Sequence, residues 1–419
     1  MVYLGGLIVI LTIVAIVKRW EVRLVLFTSG ALMAILSGNP FGGVTAFTAA
    51  MVSGGLVPII CTVMGFAYVL KVTGCDSHLI HAIVRPMSKL EKILIPATVI
   101  VTAMINIALP SAAGVSAAVG AIMIPALIAA SVRPAMAASA VMAGTFGSAM
   151  SPGSAHVVFV ADLAGMEVME IVAIMAPKAI TAILIGAIAL TFVAFIRKEN
   201  KGYIPAEGEG VSQDLSGFKV NPLKAIVPVV PLAILILTSP AVGLVGTAIT
   251  VPQSMFIGII LAGIVSLKNP QEISKNFFNG IGSAYAEVIG IIACAAVFTA
   301  GMQSIGLTPA LIAAMEGSDA VVPIAATFGP LLVAVLSGSG DAATLAFNNA
   351  ITPHAAVFGL DISSLGTTAS LAGALGRTMS PVAGAAIICA GLAKVNPIEI
   401  TKRNGPGMII AALVTMFML

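Results

Sequence analysis

The sequence predicts an all-α, polytopic membrane protein built from two inverted repeats, and three observations predict it. Of 419 residues, 59% are hydrophobic and 9% are charged, with a mean hydropathy of +1.11. That balance leaves too few polar side chains to solvate a globular surface. One long polar stretch, 197–224, opens on RKENK and separates two apolar halves. The halves also align at a near-constant offset. Asn39-Pro40 answers to Asn269-Pro270, Gly74 with HLIHAI to Gly306 with ALIAAM, GTFGSAMSP at 144–152 to GALGRTMSP at 373–381, and MEI at 169–171 to IEI at 398–400.

In chain order, the first repeat (1–196) offers apolar spans at about 4–17, 22–37, 50–72, 135–164 and 170–196. The first of these lacks a basic region before it and a small-residue cleavage site, so it reads as a retained span. A cytoplasmic linker, 197–222, follows. The second repeat (223–419) offers spans at about 223–239, 253–267, 281–305, 364–393 and 404–419. An odd number of spans in each half turns the second copy upside down in the membrane, giving about ten spans in all. Charge tests this independently. With both termini outside, Lys18, Arg19, Arg23, Arg85, Lys89, Lys92, Arg133, the bases of 197–224, Lys268, Lys275, Lys394, Lys402 and Arg403 all fall inside. Asp162, Glu167, Glu316, Asp319 and Asp361 fall on the opposite side.

Between the third and fourth span of each half lies an apolar segment that must begin and end on one side. These segments, 93–130 and 321–356, are interrupted by LPSAAG at 109–114 and LSGSGD at 336–341, and read as re-entrant helical hairpins. The fourth spans carry Ser151-Pro152 and Ser380-Pro381, and proline removes a helix donor and breaks each of them. Two tips and two breaks then meet near the midplane. Free helix N-termini there suit a carboxylate, and unwound carbonyls suit Na+ or a proton-bearing water.

The candidate residues follow from that convergence. Substrate contacts are expected at Ser111, Gly114, Ser116, Ser337, Gly338, Ser339, Gly340, Arg377 and Thr378. Arg377 is a charge at membrane depth, which is functional by default. A coupling ion or proton is expected at Asp341, Asn106, Ser151, Asn348 and Ser380. The bland readings stand beside these: hydroxyls pack and bond within membrane helices, Asp341 caps the following helix, and Asn348, Asn349 and Asn106 bridge helices. His156 reads equally as a proton carrier or a satisfied interior histidine. Glu287 and Lys71 sit at the ends of their spans and read as snorkelling.

Other classes are excluded or left without support. Cys61, Cys75, Cys294 and Cys389 have no metal or redox spacing. The net charge of +3 is accounted for by cytoplasmic loops and implies no nucleic-acid partner. No cofactor motif, metal cluster beyond a possible Na+ site, or nucleophile, base and orienter set is apparent.

The stretches LSGSGDAATLAF at 336–347 and GALGRTMSPVAGAAIICAGLAKVNPIEITKR at 373–403 resemble the DcuC family of anaerobic C4-dicarboxylate carriers. SAAGVSAAVGAIMIP at 111–125 and AMSPGSAHVVFVADLAG at 149–165 follow the same family pattern more loosely. The resemblance implies a secondary transporter of succinate, fumarate and similar acids in the bacterial cytoplasmic membrane. It further implies a homodimer with a static scaffold, here the first three spans of each half, and an elevator domain made of the hairpins, broken helices and last spans. A carrier of monocarboxylates or amino acids and a cation/proton antiporter are the alternatives.

Overall fold

The computed structural model describes residues 1–87, 93–205, 218–239, 249–315 and 321–419. Lys89, Lys92, Glu316, Asp319 and positions 206–217 of the linker lie outside the described residues. Within them, every regular element is helical. The first half comprises α1 (Val2–Val17), α2 (Val22–Leu36), α3 (Gly42–Met51), α4 (Val57–Thr73), α5 (Cys75–Met87), α6 (Leu94–Ala108), α7 (Ala112–Ala129), α8 (Pro134–Ala143), α9 (Ala155–Ala164) and α10 (Val168–Ile196). The second comprises α11 (Pro222–Ile226), α12 (Val230–Thr238), α13 (Val251–Ser266), α14 (Pro270–Ala284), α15 (Gly290–Ser304), α16 (Leu307–Met315), α17 (Val321–Ser337), α18 (Gly340–Ala350), α19 (Ile362–Thr378), α20 (Gly384–Ala393) and α21 (Pro397–Met416).

Local chemistry sets these boundaries. Glu167 and Glu170 form a reciprocal capping box at the start of α10, as do Thr250 and Gln253 at α13. Asn269 and Asn396 cap α14 and α21 just before prolines at the first helical position. Gly74 and Gly165 end α4 and α9 in the left-handed conformation.

This is a multi-pass membrane protein. Helix α7, helix α10 and the continuous Pro270–Ser304 segment are each long and apolar enough to cross a membrane. On α10, Ile180, Leu184, Ile188, Phe192 and Phe195 are exposed at three- to four-residue spacing. That stripe suits lipid and nothing aqueous. Two further apolar pairs are sharply bent, α4 with α5 by 77° and α20 with α21 by 117°.

The helices differ from the expected spans at one place that matters. A span expected at 281–305 is the second part of a single 35-residue helix, Pro270–Ser304, running through a π turn at Tyr285–Ile289. Its early residues, PQEISKNFFNG, are polar enough to read as loop from composition alone. They nevertheless continue the helix by packing one face against α4.

The two halves interlock. Helix α15 packs on α2 and α3, and α14 packs on α4. At the α2–α15 crossing Gly30 faces Gly301, and at the α4–α14 crossing Gly65 faces Gly280; a Cβ on Gly30, Gly301 or Gly280 would strike the opposing backbone. Elsewhere α6 packs on α7 and α17 on α18, forming two helical hairpins, while α7 packs on α20 and α17 on α19. Helix α10 packs on α21. Glu199, just beyond α10, is buried and accepts from Arg403 of α21 at 2.7 Å (Nε) and 2.6 Å (Nη2). Burial works to raise the Glu199 carboxyl, and the hydrogen bonds and charges of Arg403 and Arg197 overcome it and hold it below its ordinary value.

Candidate functional site

A cavity of about 330 Å³ lies where the hairpin tips and the helix breaks meet. Its wall is built largely from helix beginnings: Ala112 and Ala113 open α7, Ala155 and His156 open α9, Gly340 and Asp341 open α18, and Gly384 and Ala385 open α20. The first N–H groups of a helix have no partner within it and carry the positive end of the peptide dipoles. Four such ends on one cavity bring to it the positive dipole ends that suit an anion.

Both tips are closed the same way. Ser111 accepts from the Gly114 N–H at 3.1 Å, and Ser339 accepts from the Ala342 N–H at 3.2 Å, so each serine caps the helix it precedes. Gly338 turns the second tip at φ +78°, and its backbone lies against Val382 and Ala383 in the break before α20. The tips are tied to the breaks. Asn106 accepts from the Ser148 N–H at 2.8 Å and donates to the Leu109 carbonyl at 3.0 Å. Ser380 donates to the Val335 carbonyl of α17 at 2.7 Å.

The two breaks differ. Helix α19 stays helical through Thr378, whereas α8 ends at Ala143 and the chain is irregular or 3-10 until α9. That unwinding frees the Thr145 carbonyl, because the Ala149 N–H bonds to Phe146 instead. Arg377 donates to Thr145 through Nη2 at 2.8 Å and lines the cavity.

Opposite charge is present as well. Asp341 accepts from His156 Nδ1 at 3.1 Å, and the other ring nitrogen, Nε2, lies 2.8 Å from the Ser154 hydroxyl. With Asp341 ionised, the bond to it places a proton on Nδ1, and in the neutral ring Nε2 then accepts from Ser154. His156 and Ser154 are buried, while the Asp341 side chain keeps 55% of its surface open to the cavity. Glu287 enters from the π turn, where a helix widens to redirect side chains. It accepts from Ser283 at 2.9 Å, and Arg23 of α2 donates to the neighbouring Ala286 carbonyl.

Of the residues singled out from sequence, Ser111, Gly338, Ser339, Gly340, Asp341 and Arg377 line this cavity. Gly114 and Ser337 stand just behind the tips, Ser337 accepting from the Ser339 N–H at 3.2 Å. Ser116 is fully buried beside Cys389, Thr378 bonds the Ala374 carbonyl, and Asn106 and Ser380 make the ties described above. Asn348 is consumed by Gly366, Ser370 and Thr352. Ser151 lines a separate recess of about 30 Å³. Glu287 is a correction, since it faces the cavity from the middle of a long helix instead of snorkelling at a span end. Ser154, with His156 and Asp341, forms a linked set that spacing alone does not reveal. Among the described residues no cluster of His, Cys, Asp and Glu could hold a metal ion.

A family model for the C4-dicarboxylate anaerobic carrier DcuC matches residues 6–419. The chain belongs to the DcuC family. The probable anaerobic C4-dicarboxylate transporter DcuC of Vibrio cholerae is 28% identical, over 96% of this chain and 93% of its own length. The anaerobic C4-dicarboxylate transporter DcuC of Escherichia coli K12 is 26% identical, over 96% and 92%. A putative uncharacterized transporter of Haemophilus influenzae is 42% identical over its full length, which spans 64% of this chain. The DcuC match covers both hairpins and both breaks, so the whole cavity lies inside the region that the family shares.

Proposed function

We propose that this chain is a secondary active carrier of C4-dicarboxylates across the bacterial inner membrane, and that the cavity between the tips is its substrate site. The carrying observation is the meeting of four helix N-termini and Arg377 on one cavity. A short diacid needs two anion receptors within its own length, and helix ends supply them without a second buried side-chain charge. The proposal extends to mechanism. The hairpins are re-entrant and of opposite orientation, with both termini outside. They move with the broken helices and the last spans past a dimeric scaffold whose glycine crossings keep it rigid. Coupling is to an ion, H+ or Na+, or to counter-exchange of a second dicarboxylate. Uptake of labelled succinate into proteoliposomes, with Na+ and pH varied, tests this reading. Saturable uptake that unlabelled dicarboxylates suppress supports it, and absence of any saturable dicarboxylate flux overturns it.

A further inference from the structure

The charges around the cavity do not match a simple diacid. Arg377 is the cationic side chain that lines it, and Asp341 and Glu287 bring two carboxylates to the same 330 Å³ space. Each acid keeps one oxygen free. One oxygen of Asp341 meets His156 and one oxygen of Glu287 meets Ser283, while the second oxygen of each makes no hydrogen bond among the described residues. A plain dianion would bring four carboxylates together against one guanidinium, the His156 ring that meets Asp341, and the helix ends. Like charges crowded into a space of low dielectric are strongly unfavourable unless a cation joins them.

We propose that the preferred substrate is a C4-dicarboxylate that carries an ammonium group, an α-amino diacid of the size of aspartate. This inference rests on the carrier reading above and narrows it. The two substrate carboxylates take the helix N-termini and Arg377, as any diacid would. The ammonium takes the free oxygens of Asp341 and Glu287, which a plain diacid leaves facing its own negative charge. Covalent geometry favours the same arrangement. An α-ammonium is attached to the carbon next to a carboxylate, so a carboxylate held by the first N–H groups of α18 places the ammonium beside the first turn of that helix, where Asp341 stands. Glu287 faces the cavity from a different helix, carried there by the π turn, so the two acids approach from different walls. Ser148 adds a buried side chain on the cavity wall whose hydroxyl bonds nothing among the described residues.

The test is competition against labelled uptake in proteoliposomes of the full chain at pH 7.5, with L-aspartate, succinate and L-asparagine as probes. L-aspartate is expected to compete about tenfold better than succinate, because a site built to hold a substrate N–H group discriminates against the analogue that lacks it. L-asparagine, with the ammonium but a single carboxylate, is expected to compete weakly. Glu287→Gln and Asp341→Asn keep shape and remove charge, and each is expected to weaken L-aspartate relative to succinate, narrowing the tenfold preference. Because the two acids sit on different helices, loss of folding in one variant leaves the other informative. Succinate competing as well as L-aspartate in the wild-type protein, or both variants moving the two acids alike, overturns the inference and leaves the carrier reading standing. Saturable flux of none of the three overturns the carrier reading itself.

Discussion

The Arg377 guanidinium donates to the Thr145 carbonyl at 2.8 Å, so the two copies of one sequence frame meet at the cavity. GTFGSAMSP unwinds and contributes an acceptor; GALGRTMSP stays helical and contributes the charge. The copies are complementary, which explains why the charge is written once. A second guanidinium in place of Ser148 would lose the unwound partner and face the first in the same space.

Arg377→Ala is expected to abolish dicarboxylate uptake in proteoliposomes while leaving the protein folded by size-exclusion profile. Arg377→Lys is expected to retain less than about one tenth of the rate, because one ammonium cannot hold the Thr145 carbonyl and a substrate carboxylate in the same fork geometry. Wild-type rates in the lysine variant would remove the guanidinium from the site.

Asn106→Ala is expected to act on stability. The substitution leaves the buried Ser148 N–H without its acceptor, which costs about 1–3 kcal/mol and lowers the thermal midpoint. Loss of Na+ dependence at unchanged thermal midpoint would instead return Asn106 to a coupling role.

The clasp between Glu199 and Arg403 predicts a pH dependence of stability. The folded Glu199 carboxyl lies below its ordinary 4.5. Its contribution is therefore full above that ordinary value and is lost as pH falls through the lowered folded value. The difference in thermal midpoint between the wild type and Glu199→Gln should be large at pH 7 and should shrink as the pH drops below 4.5. Arg403→Met, which strands a buried carboxylate, should cost about 3–5 kcal/mol at neutral pH. A pH-independent difference between wild type and Glu199→Gln would show that the pair carries no titrating contribution.

All four native cysteines are buried, and with them replaced, single cysteines report on sidedness. Ser111→Cys is expected to react with a membrane-impermeant thiol reagent from the cytoplasm and Ser339→Cys from outside, with saturating substrate protecting both. Labelling of both from one face contradicts the opposed hairpins.

Much of the cavity was legible because interruption is a strong signal in an apolar chain. LPSAAG, LSGSGD and the two Ser-Pro steps are where helices stop, and the stops create the N-terminal ends that line the site. Glu287 was not legible for a matching reason. Hydropathy sees PQEISKNFFNG as a loop, which leaves Glu287 near a span end, and only packing against α4 shows that the helix includes this stretch and carries the acid at its middle. The pairing of His156 with Asp341 joins residues far apart in the chain through the packing of α9 on α18, which no local pattern encodes. Asn348 shows where sequence leaves two readings open. A polar side chain in an apolar helix attracts a functional reading, yet its amide is spent on holding α18 to α19.

At the glycine crossings of α2 with α15 and of α4 with α14, Gly30, Gly301 and Gly280 bring backbone against backbone. Contacts of that kind draw nothing from the surrounding hydrocarbon, so they hold whether the annulus is thick or thin, native or detergent. The helices that they join are therefore held at a spacing set by the chain itself and not by the lipid around it.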